Sequence, residues 1–379
     1  MRILATADWQ LDMLGGTLSP TAREHLAETR VSTVEKILEL AAEENVDAIL
    51  AAGDLFEYPS PSPAVITEVA AVIQRHRNIP IHAIPGNHDL YGYGTVWKSP
   101  EFEAIGHFHL HSEQTCVELS DGFYLHSIPV KNKFATDPQE ELLDDVSDKD
   151  GVHIVMAHGH DVSYMNFGDH ESDDCNLPID SNEVIAKGYA LVILGHWHSW
   201  NEVAPRVLYP GTHEQTKFTE RDAGYVAIID IPEDGGDPVI DKKKIGQIQW
   251  STKTFDCTGR NLPDELIDYG GDISNDTDFL KLALTGEVEL DDFTDAIPRA
   301  QQACEPMFGH LIFETQDLTT SIDVVAMTNR VDLPPGLREI QGSILLELKS
   351  AQGDDEATKD LQDELRALYR ACRDAGVLN

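Results

Sequence analysis

The first 230 residues alternate short β-branched runs with amphipathic stretches, and this alternation limits the folds open to the chain. The predicted strands span residues 2–7, 47–52, 79–84, 123–128, 152–157, 190–194 and 225–230. Between the first three strands, apolar residues recur at helical spacing. These are Val31, Val34, Ile37, Leu38 and Ala41, and then Val65, Ile66, Val69, Val72 and Ile73. The order strand, helix, strand, helix, strand predicts a layered α/β core with helices covering both sheet faces.

The remainder of the chain differs in character, and its 379 residues exceed the usual size of one domain. A turn-rich break, PEDGGDP, occupies residues 232–238, and DKKKIGQIQW after it is predicted as one more strand. We expect a main domain over residues 1–250, a small α+β domain over 251–345, and a polar linker with a terminal helix over 346–379. That helix has an apolar face, the C-terminal stripe, which usually packs back on its own domain and less often docks to a partner. The stripe consists of Leu361, Leu365, Leu368 and Cys372.

The charge of the chain narrows the partners it can have. Its 67 acidic and 28 basic residues leave a net charge of −39. A field of that sign repels polyanions, so a nucleic-acid partner requires local positive charge from a metal ion or from another protein's basic surface. The same composition suits a salt-rich cytosol, in which self-repulsion is screened, whereas the plain interpretation is a solvated acidic surface.

The sequence indicates neither a membrane segment nor a disulfide framework. No uninterrupted apolar run has the length of a bilayer-spanning helix, and the N-terminus MRILATAD lacks the layout of a signal peptide. The five cysteines are odd in number, widely spaced and without a C-x-x-C pair. We therefore expect a cytoplasmic protein with no membrane contact, whose cysteines are reduced and structural.

Residues of the kinds that bind metal ions follow several predicted strands. In α/β folds, ligands bind just beyond the carboxyl ends of strands, so a sheet would gather these side chains at one edge. Each alone has an ordinary explanation, because Gly-Asp and Gly-Asn pairs are commonly turns and a buried histidine is commonly a core residue. Together they favour a metal site. They are Asp8 and Gln10 in ADWQ, Asp54 in AAGD, Asn87, His88 and Asp89 in GNHD, His158 and His160 in AHGH, and His196 and His198 in GHWH.

This mixture of donors suits a pair of divalent ions. Two ions about 4 Å apart can clamp a phosphoryl group and activate a shared water, which requires one carboxylate to bridge them. Asp54 is the natural bridge. Histidines two residues apart on an extended chain point in opposite directions, so His196 and His198 can serve one ion each. Oxygen and imidazole donors without thiolate favour Mn²⁺ or Mg²⁺ over structural zinc.

In order along the chain, DWQ, GD, GNHD, AHGH and GHWH resemble the motifs of the calcineurin-like metallophosphoesterases, in the DNA-repair branch typified by the SbcD nuclease. The family pattern is D-x-H, G-D, G-N-H-D/E, a later histidine and G-H-x-H. YPGTHEQTKF at 209–218 is similar to the segment that follows the last motif in that branch, and LKLALTGEVEL at 280–290 more weakly resembles a strand of its capping domain. The resemblance implies two central mixed sheets flanked by helices, with a small C-terminal α+β domain that caps the site and binds DNA.

The resemblance also implies a role for each side chain. His88 corresponds to the family's catalytic histidine, which lies near the phosphate and protonates the leaving oxygen or stabilises the transition state. Asp89 would orient His88 or cap its loop, and His160 would contact phosphate or serve a structural role. The implied shell of one metal is Asp8, Gln10, Asp54 and His198, and that of the other is Asp54, Asn87, His158 and His196.

Two positions depart from the family pattern. Gln10 stands where the family usually has histidine; its carboxamide oxygen can bind a hard divalent ion, but this neutral and less basic donor would weaken the ion's hold. Glu57 stands where some members have a histidine implicated in handling the DNA end. A carboxylate there would repel phosphate unless it binds a metal or a base, which leaves the balance between exonuclease and endonuclease activity open.

The sequence leads to one hypothesis and two rivals. The leading hypothesis is a Mn²⁺-dependent DNA nuclease of the SbcD type acting in DNA repair. The resemblance implies a homodimer formed through residues 63–77 and 96–105, and an SbcC-type coiled-coil ATPase that docks on the C-terminal stripe. The first rival is a small-molecule phosphatase or cyclic-nucleotide phosphodiesterase, which the acidic charge slightly favours. The second is a metal-poor, catalytically silent scaffold, supported only by Gln10 and Glu57.

Overall fold

The computed structural model describes most of the chain as two compact units, Met1–Trp250 and Ser251–Asn379. The larger unit holds two six-stranded sheets, and a three-stranded sheet belongs to the smaller one. The described residues are 1–13, 15–16, 18–163, 177–289, 292–321, 333–351, 357, 360, 361, 364, 365, 367 and 368.

The regular elements follow one another in a mainly alternating order. The strands are β1 Arg2–Thr6, β2 Ala48–Ala51, β3 Ile81–Ala83, β4 Phe108–Leu110, β5 Thr115–Ser120, β6 Phe123–Ile128, β7 Val152–His158, β8 His160–Asp161, β9 Pro178–Ile179, β10 Leu191–Gly195, β11 Asn201–Ala204, β12 Val207–Tyr209, β13 Tyr225–Asp230, β14 Val239–Lys244, β15 Trp250–Asp256, β16 Asn275–Glu289 and β17 Phe308–Ser321. The α-helices are α1 Pro20–Glu43, α2 Pro63–Arg75, α3 Pro100–Glu103, α4 Ser181–Ala186, α5 Asp264–Asp272, α6 Ile297–Cys304 and α7 Pro335–Ser350. Short 3₁₀ turns lie at Val96–Lys98, Gln139–Leu142 and Glu305–Met307, and a π-helical turn lies at Asp292–Ala296.

The two large sheets are mixed and pack face to face. The first has the order β14-β13-β1-β2-β3-β4, and the second has the order β11-β12-β10-β7-β6-β5. Strands β1 to β4 run parallel, as do β6, β7, β10 and β12. Apolar residues such as Ile3 and Leu50 of the first sheet pack against Ile154 and Ile193 of the second in one buried cluster. The predicted layered α/β fold with two flanked sheets is therefore confirmed.

Helices α1 and α2 cover the outer face of the first sheet, whereas the expectation of helices on both of its faces is wrong, because its inner face packs against the second sheet. The Ser19 Oγ accepts a hydrogen bond from the Ala22 N–H at 3.2 Å, and Pro20 occupies the first turn, so α1 begins with a satisfied cap. Val34 of α1 and Val69 of α2 are fully buried against this sheet. The parallel strands are thereby held with their carboxyl ends at a common edge.

Some strand predictions are wrong in detail. DKKKIGQIQW is not one strand, because β14 ends at Lys244 and β15 begins at Trp250. Strands β4, β5, β11 and β12 escape the sequence pattern. These strands are short or irregular; β11, for example, departs from regular pairing with β12 between Glu202 and Ala204. Such segments contain too few alternations of apolar and polar residues to be recognised from the sequence.

The smaller unit is built on parallel strands β16 and β17, with α5 and α6 packed in the same core. The predicted strand at 280–290 falls within β16 as far as Glu289, and Leu290 lies outside the described residues. A second core joins α7 to the C-terminal stripe, whose Leu365 is fully buried there. Leu361 and Leu368 are partly buried against it, and Cys372 lies outside the described residues.

No helix in the described part of the chain is both long enough and apolar enough to traverse a lipid bilayer.

Candidate active site

The side chains singled out by the sequence meet at the carboxyl ends of strands from both large sheets. Asp8, Asp54 and Asn87 follow β1, β2 and β3 of the first sheet, while His158 ends β7 and His196 follows β10 of the second. Asp8, Asp54 and His158 are almost completely buried. The expectation that a single sheet gathers these side chains is therefore wrong, because the carboxyl ends of strands from two sheets bring them together.

The backbone at this edge adopts an unusual conformation. Asp8, Gln10, Asp54 and His196 have φ angles of 50°, 46°, 53° and 97°, in the left-handed region that non-glycine residues rarely occupy. Two hydrogen bonds pair the loops, one from the Asp8 N–H to the Gly53 carbonyl at 3.0 Å and one from the Gln10 N–H to the Asp54 carbonyl at 3.1 Å. Such strain persists only where surrounding contacts impose it, and it concentrates at functional sites.

Two motif glycines permit the close packing of these loops. A Cβ on Gly86 of GNHD would lie 2.1 Å from the Asp54 Oδ1. A Cβ on Gly195 of GHWH would lie 1.9 Å from the Ala52 carbonyl oxygen. Any larger residue at either place would therefore push the donor-bearing loops apart.

Four side chains form a compact cluster of donor atoms. The Asn87 Oδ1 lies 2.9 Å from both the His158 Nε2 and the His196 Nδ1. The His158 Nε2 lies 3.4 Å from the Asp54 Oδ2. One ligand atom from each of Asp54, His158 and His196 lies within 4.8 Å of the others, a spacing at which a single ion can contact all three.

In two of the histidines, the ring nitrogen that faces away from the other donor atoms, Nδ1, donates a hydrogen bond. The His158 Nδ1 donates to the Ala52 carbonyl at 2.9 Å, and the His198 Nδ1 donates to the Glu220 Oε1 at 2.8 Å. In both rings the Nε2 atom is thereby left for the cluster. His196 is turned the other way, because its Nε2 lies 3.0 Å from the His160 Nε2 and its Nδ1 faces Asn87.

Gln10 tests whether these residues fit a metal ion. Its Nε2 lies 3.3 Å from the Asp54 Oδ2 and 3.5 Å from the His198 Nε2. Its carbonyl oxygen Oε1 is buried and has no hydrogen-bond partner among the described residues. A buried carbonyl left unpaired is costly, and a hard divalent cation would satisfy it together with the adjacent carboxylate and imidazole. The donor set therefore fits a bound cation.

The electrostatics of the cluster favour positive charge at its centre. Burial alone would lower the pKa of His158, but the Asp54 and Asp8 carboxylates outweigh it and raise that pKa to about 9. Burial likewise acts to raise the pKa of Asp54, yet the charge and hydrogen bond of His158 hold it below its ordinary value. For Asp8, burial prevails over His158 and His198 and raises the pKa to about 6.

Comparison with known proteins identifies the family. The family model described as calcineurin-like phosphoesterase matches residues 1–200. The chain belongs to the calcineurin-like phosphoesterase family. This membership makes it a phosphoesterase-type hydrolase of a family that is typically dependent on two metal ions.

Two solved structures are similar to this phosphoesterase at low sequence identity. The protein TT1561 of Thermus thermophilus is 14% identical, with 64% of this chain and 98% of that chain covered and a TM-score of 0.41. A dimetal phosphatase from Danio rerio is 10% identical, with 63% and 98% covered and a TM-score of 0.41.

In this phosphoesterase, His88 lies beside the cluster. Its backbone N–H donates to the Asp54 Oδ1 at 2.8 Å. Its ring Nδ1 donates to the Glu57 carbonyl at 3.1 Å and lies 3.7 Å from the Glu57 carboxylate. The side chain of His88 is half-buried and keeps its Nε2 for another partner, which suits a group that acts on substrate.

The Asp89 carboxylate caps backbone N–H groups of two loops. It accepts hydrogen bonds from the N–H groups of Gly86 at 2.7 Å, Leu55 at 2.8 Å and Phe56 at 3.3 Å. Of the two predicted roles, the structure thus places Asp89 as a loop cap that fastens the Asp54 loop to the GNHD loop. Burial, followed by the charge of Asp54, raises the pKa of Asp89 to about 7.

Sequence reasoning missed two buried charged residues of the phosphoesterase, Glu220 and Arg30. Glu220 supports His198 as described above. From α1, Arg30 donates two hydrogen bonds to the Trp9 carbonyl, at 3.0 and 2.7 Å, and one to the Glu214 carbonyl at 3.1 Å. It thereby fixes the loop that carries Asp8 and Gln10. The available signal was a charged residue among the mainly apolar buried positions of α1, beside Val31.

Proposed function

We propose that this phosphoesterase is a Mn²⁺-dependent DNA nuclease of the SbcD type, which hydrolyses phosphodiester bonds in DNA repair. The choice of a hydrolase rests on family membership. The choice of DNA rests on the resemblance of its motifs to the nuclease branch and on one feature of the surface, a set of exposed tyrosines on the loops that carry Glu57 and His88.

The seven donor residues together, here called the donor cluster, supply the proposed metal centre. Asp8, Gln10, Asp54 and His198 would hold one ion, and Asn87, His158 and His196 would join Asp54 around the other. When bound, the pair supplies Lewis-acid polarisation of the phosphoryl group and lowers the pKa of a coordinated water. The absence of thiolate from this set favours Mn²⁺, with Mg²⁺ as the alternative.

His88 would act on the phosphate. With its Nδ1 donating to the Glu57 carbonyl, its Nε2 can hydrogen-bond a phosphoryl or leaving oxygen. The Glu57 carboxylate lies 3.7 Å from the same Nδ1 and would help to hold the ring with its Nε2 directed toward the phosphate. In this proposal Glu57 acts through His88 and does not itself contact DNA.

The tyrosine patch consists of Tyr58, Tyr91 and Tyr93, which are 41%, 39% and 105% exposed. These tyrosines lie on the two loops that carry Glu57 and His88. The loops are joined by hydrogen bonds from the Ser60 Oγ to the Gly94 carbonyl and from the Val96 N–H to the Pro59 carbonyl, both 2.8 Å. Exposed aromatic rings can stack on unpaired bases, and stacking does not require a positively charged surface. The patch therefore favours DNA ends over small phosphoesters, despite the net charge of −39.

The decisive test compares substrates on one preparation. With Mn²⁺, the purified chain should degrade linear duplex DNA with a single-stranded overhang, and it should also hydrolyse bis-p-nitrophenyl phosphate. Replacing all three patch tyrosines by alanine should lower DNA cleavage by about 10-fold or more, since stacking contributes roughly 1–3 kcal/mol per base. Hydrolysis of the small ester should stay unchanged, because the patch tyrosines are not among the donor residues.

The matched control replaces the same tyrosines by phenylalanine, which keeps the rings and should keep DNA cleavage. Hydrolysis of small esters without DNA cleavage, across metals and salt concentrations, would instead identify a phosphatase or cyclic-nucleotide phosphodiesterase. Less than one ion per chain in millimolar Mn²⁺ would identify the scaffold.

The proposal extends to a homodimer and an SbcC-type ATPase partner, for which the resemblance is the support. The apolar face of α2 is buried in its own unit, as is Leu365 of the C-terminal stripe, so these contacts would have to use other faces. Light scattering of the purified chain should give twice the monomer mass of 42.0 kDa. A monomer at all concentrations would remove the dimer from the proposal.

A further inference from the structure

We propose that Glu220, held by Thr216, is a positioning residue that strengthens His198 as a metal ligand and offsets the weak donor Gln10 in the same metal shell. This inference rests on the metal-binding part of the proposed function and is independent of the substrate. It assigns a role to a residue that none of the motifs includes.

Glu220 is fixed on both of its carboxylate oxygens. The Oε1 accepts a hydrogen bond from the His198 Nδ1 at 2.8 Å and another from the Thr216 hydroxyl. The Oε2 accepts from the Thr216 N–H at 2.6 Å. Glu220 is buried, and with both oxygens engaged its orientation toward His198 is set before any ion arrives.

The turn that bears Glu220 is also fixed. The Gln215 Nε2 donates to the Glu220 carbonyl at 3.1 Å and to the Trp250 carbonyl at 3.2 Å. The segment before this turn is held by Arg30, whose guanidinium donates to the Thr212 hydroxyl at 3.2 Å. The same guanidinium donates to the carbonyl of Trp9, the residue between Asp8 and Gln10. One buried network therefore aligns the two loops that deliver Gln10 and His198 to the same place.

The hydrogen-bond acceptors of the His158 Nδ1 and the His198 Nδ1 differ in charge. His158 donates to a neutral carbonyl, that of Ala52, whereas His198 donates to a carboxylate. An anionic acceptor makes the imidazole more basic and hence a stronger metal ligand. His198 lies 3.5 Å from Gln10, the one carboxamide in its proposed shell. The histidine with an anionic hydrogen-bond partner thus lies next to the neutral carboxamide of its own proposed shell.

The experiment measures Mn²⁺ binding directly. Isothermal titration calorimetry on metal-free protein, with electron paramagnetic resonance to count bound Mn²⁺, would compare wild type with Glu220→Gln. We expect the affinity of one of the two ions to fall by about 10–100-fold, the usual cost of removing such a partner, while the second ion binds as before. The melting temperature of metal-free protein should stay within a few degrees of wild type.

A double-mutant cycle with Gln10→His tests the compensation. Histidine at position 10 restores a stronger donor, so Glu220→Gln should cost less Mn²⁺ affinity in that background than in the wild type. Equal costs in both backgrounds would reject compensation. As a control, Glu202→Gln alters an exposed glutamate that bonds Trp200 and should leave both affinities unchanged.

Other outcomes are equally decisive. If Glu220→Gln left both Mn²⁺ affinities within two-fold of wild type, or weakened both equally while lowering the metal-free melting temperature, Glu220 would be a structural residue. If wild type bound Mn²⁺ but did not cleave DNA, the nuclease proposal would fail and this inference would stand. If wild type bound no Mn²⁺, the inference would fail with the metal site.

Discussion

Two groups of histidines in the larger unit resemble each other in sequence but not in chemistry. The first is the donor cluster, in which His158 and His196 lie beside Asp54. The second, here called the edge trio, consists of His82 on β3, His109 on β4 and His111. The His82 Nδ1 lies 3.0 Å from the His111 Nε2, and the His82 ring stacks on that of His109 with centroids 4.9 Å apart.

The two groups differ in the charge that surrounds them. In the donor cluster, carboxylates overcome burial and raise the pKa of His158 to about 9. In the edge trio, burial and the charges of His111 and His109 lower the pKa of His82 to about 3. Burial and the charge of His109 lower the pKa of His111 to about 4. Burial and neighbouring histidines also lower the pKa of His196 in the donor cluster, so it is the Asp54 and Asp8 carboxylates, and not the histidines themselves, that attract a cation there. Histidine spacing therefore says little about metal binding until the carboxylates are placed.

The largest expected effect comes from removing the shared carboxylate. Asp54→Asn should abolish hydrolysis of bis-p-nitrophenyl phosphate and weaken Mn²⁺ binding by more than about 100-fold, because residues that only support ligands already cost 10–100-fold. The rise in melting temperature that Mn²⁺ gives wild type should disappear as well. Full activity in Asp54→Asn would show that the bridging ligand is wrongly assigned.

A matched pair of histidine variants sharpens the comparison. His158→Gln and His111→Gln each replace one buried ring, but only the first belongs to the donor cluster. We expect His158→Gln to lose most Mn²⁺ affinity and His111→Gln to keep it, as measured by calorimetry. Equal losses would mean that overall stability, and not the donor set, determines binding.

The next effect separates metal binding from turnover. His88→Ala should keep both Mn²⁺ ions and lower turnover by about 100–1,000-fold, as expected when a group acting on the transition state is removed. Calorimetry and bis-p-nitrophenyl phosphate hydrolysis measure the two properties independently. Loss of Mn²⁺ in this variant would instead make His88 a ligand.

The sequence predicted the layered fold and the gathering of the donor residues because both depend on local patterns. Strand period, helix spacing and motif glycines all lie within a few residues of the side chains they place. Glu220 and Arg30 were not predicted, since their roles depend on contacts with His198 and Trp9 that the fold alone creates. The edge trio marks the same limit, because its histidines meet only through the pairing of β3 with β4.

The smallest expected effect concerns stability in acid and comes from the edge trio. Folding lowers the pKa of His111 from 6.5 to about 4, so below pH 6.5 the unfolded chain binds a proton that the folded chain does not. The stabilisation from the neutral ring is fully present above pH 6.5 and is lost as the pH falls toward 4. The free energy of unfolding should therefore decrease in this window, with His111 contributing at most about 1.4 kcal/mol per pH unit.

Urea unfolding of metal-free protein at pH 7 and pH 5 would measure this loss against His111→Gln. Carboxylates and the donor cluster titrate in both proteins and cancel in the difference, whereas glutamine cannot be protonated in this range. The variant should lose less stability than wild type between the two pH values, even if it is less stable at pH 7. An equal loss would mean that His111 has the same pKa in the folded and unfolded states, and the contrast between the two histidine groups would then rest on the carboxylates of the donor cluster alone.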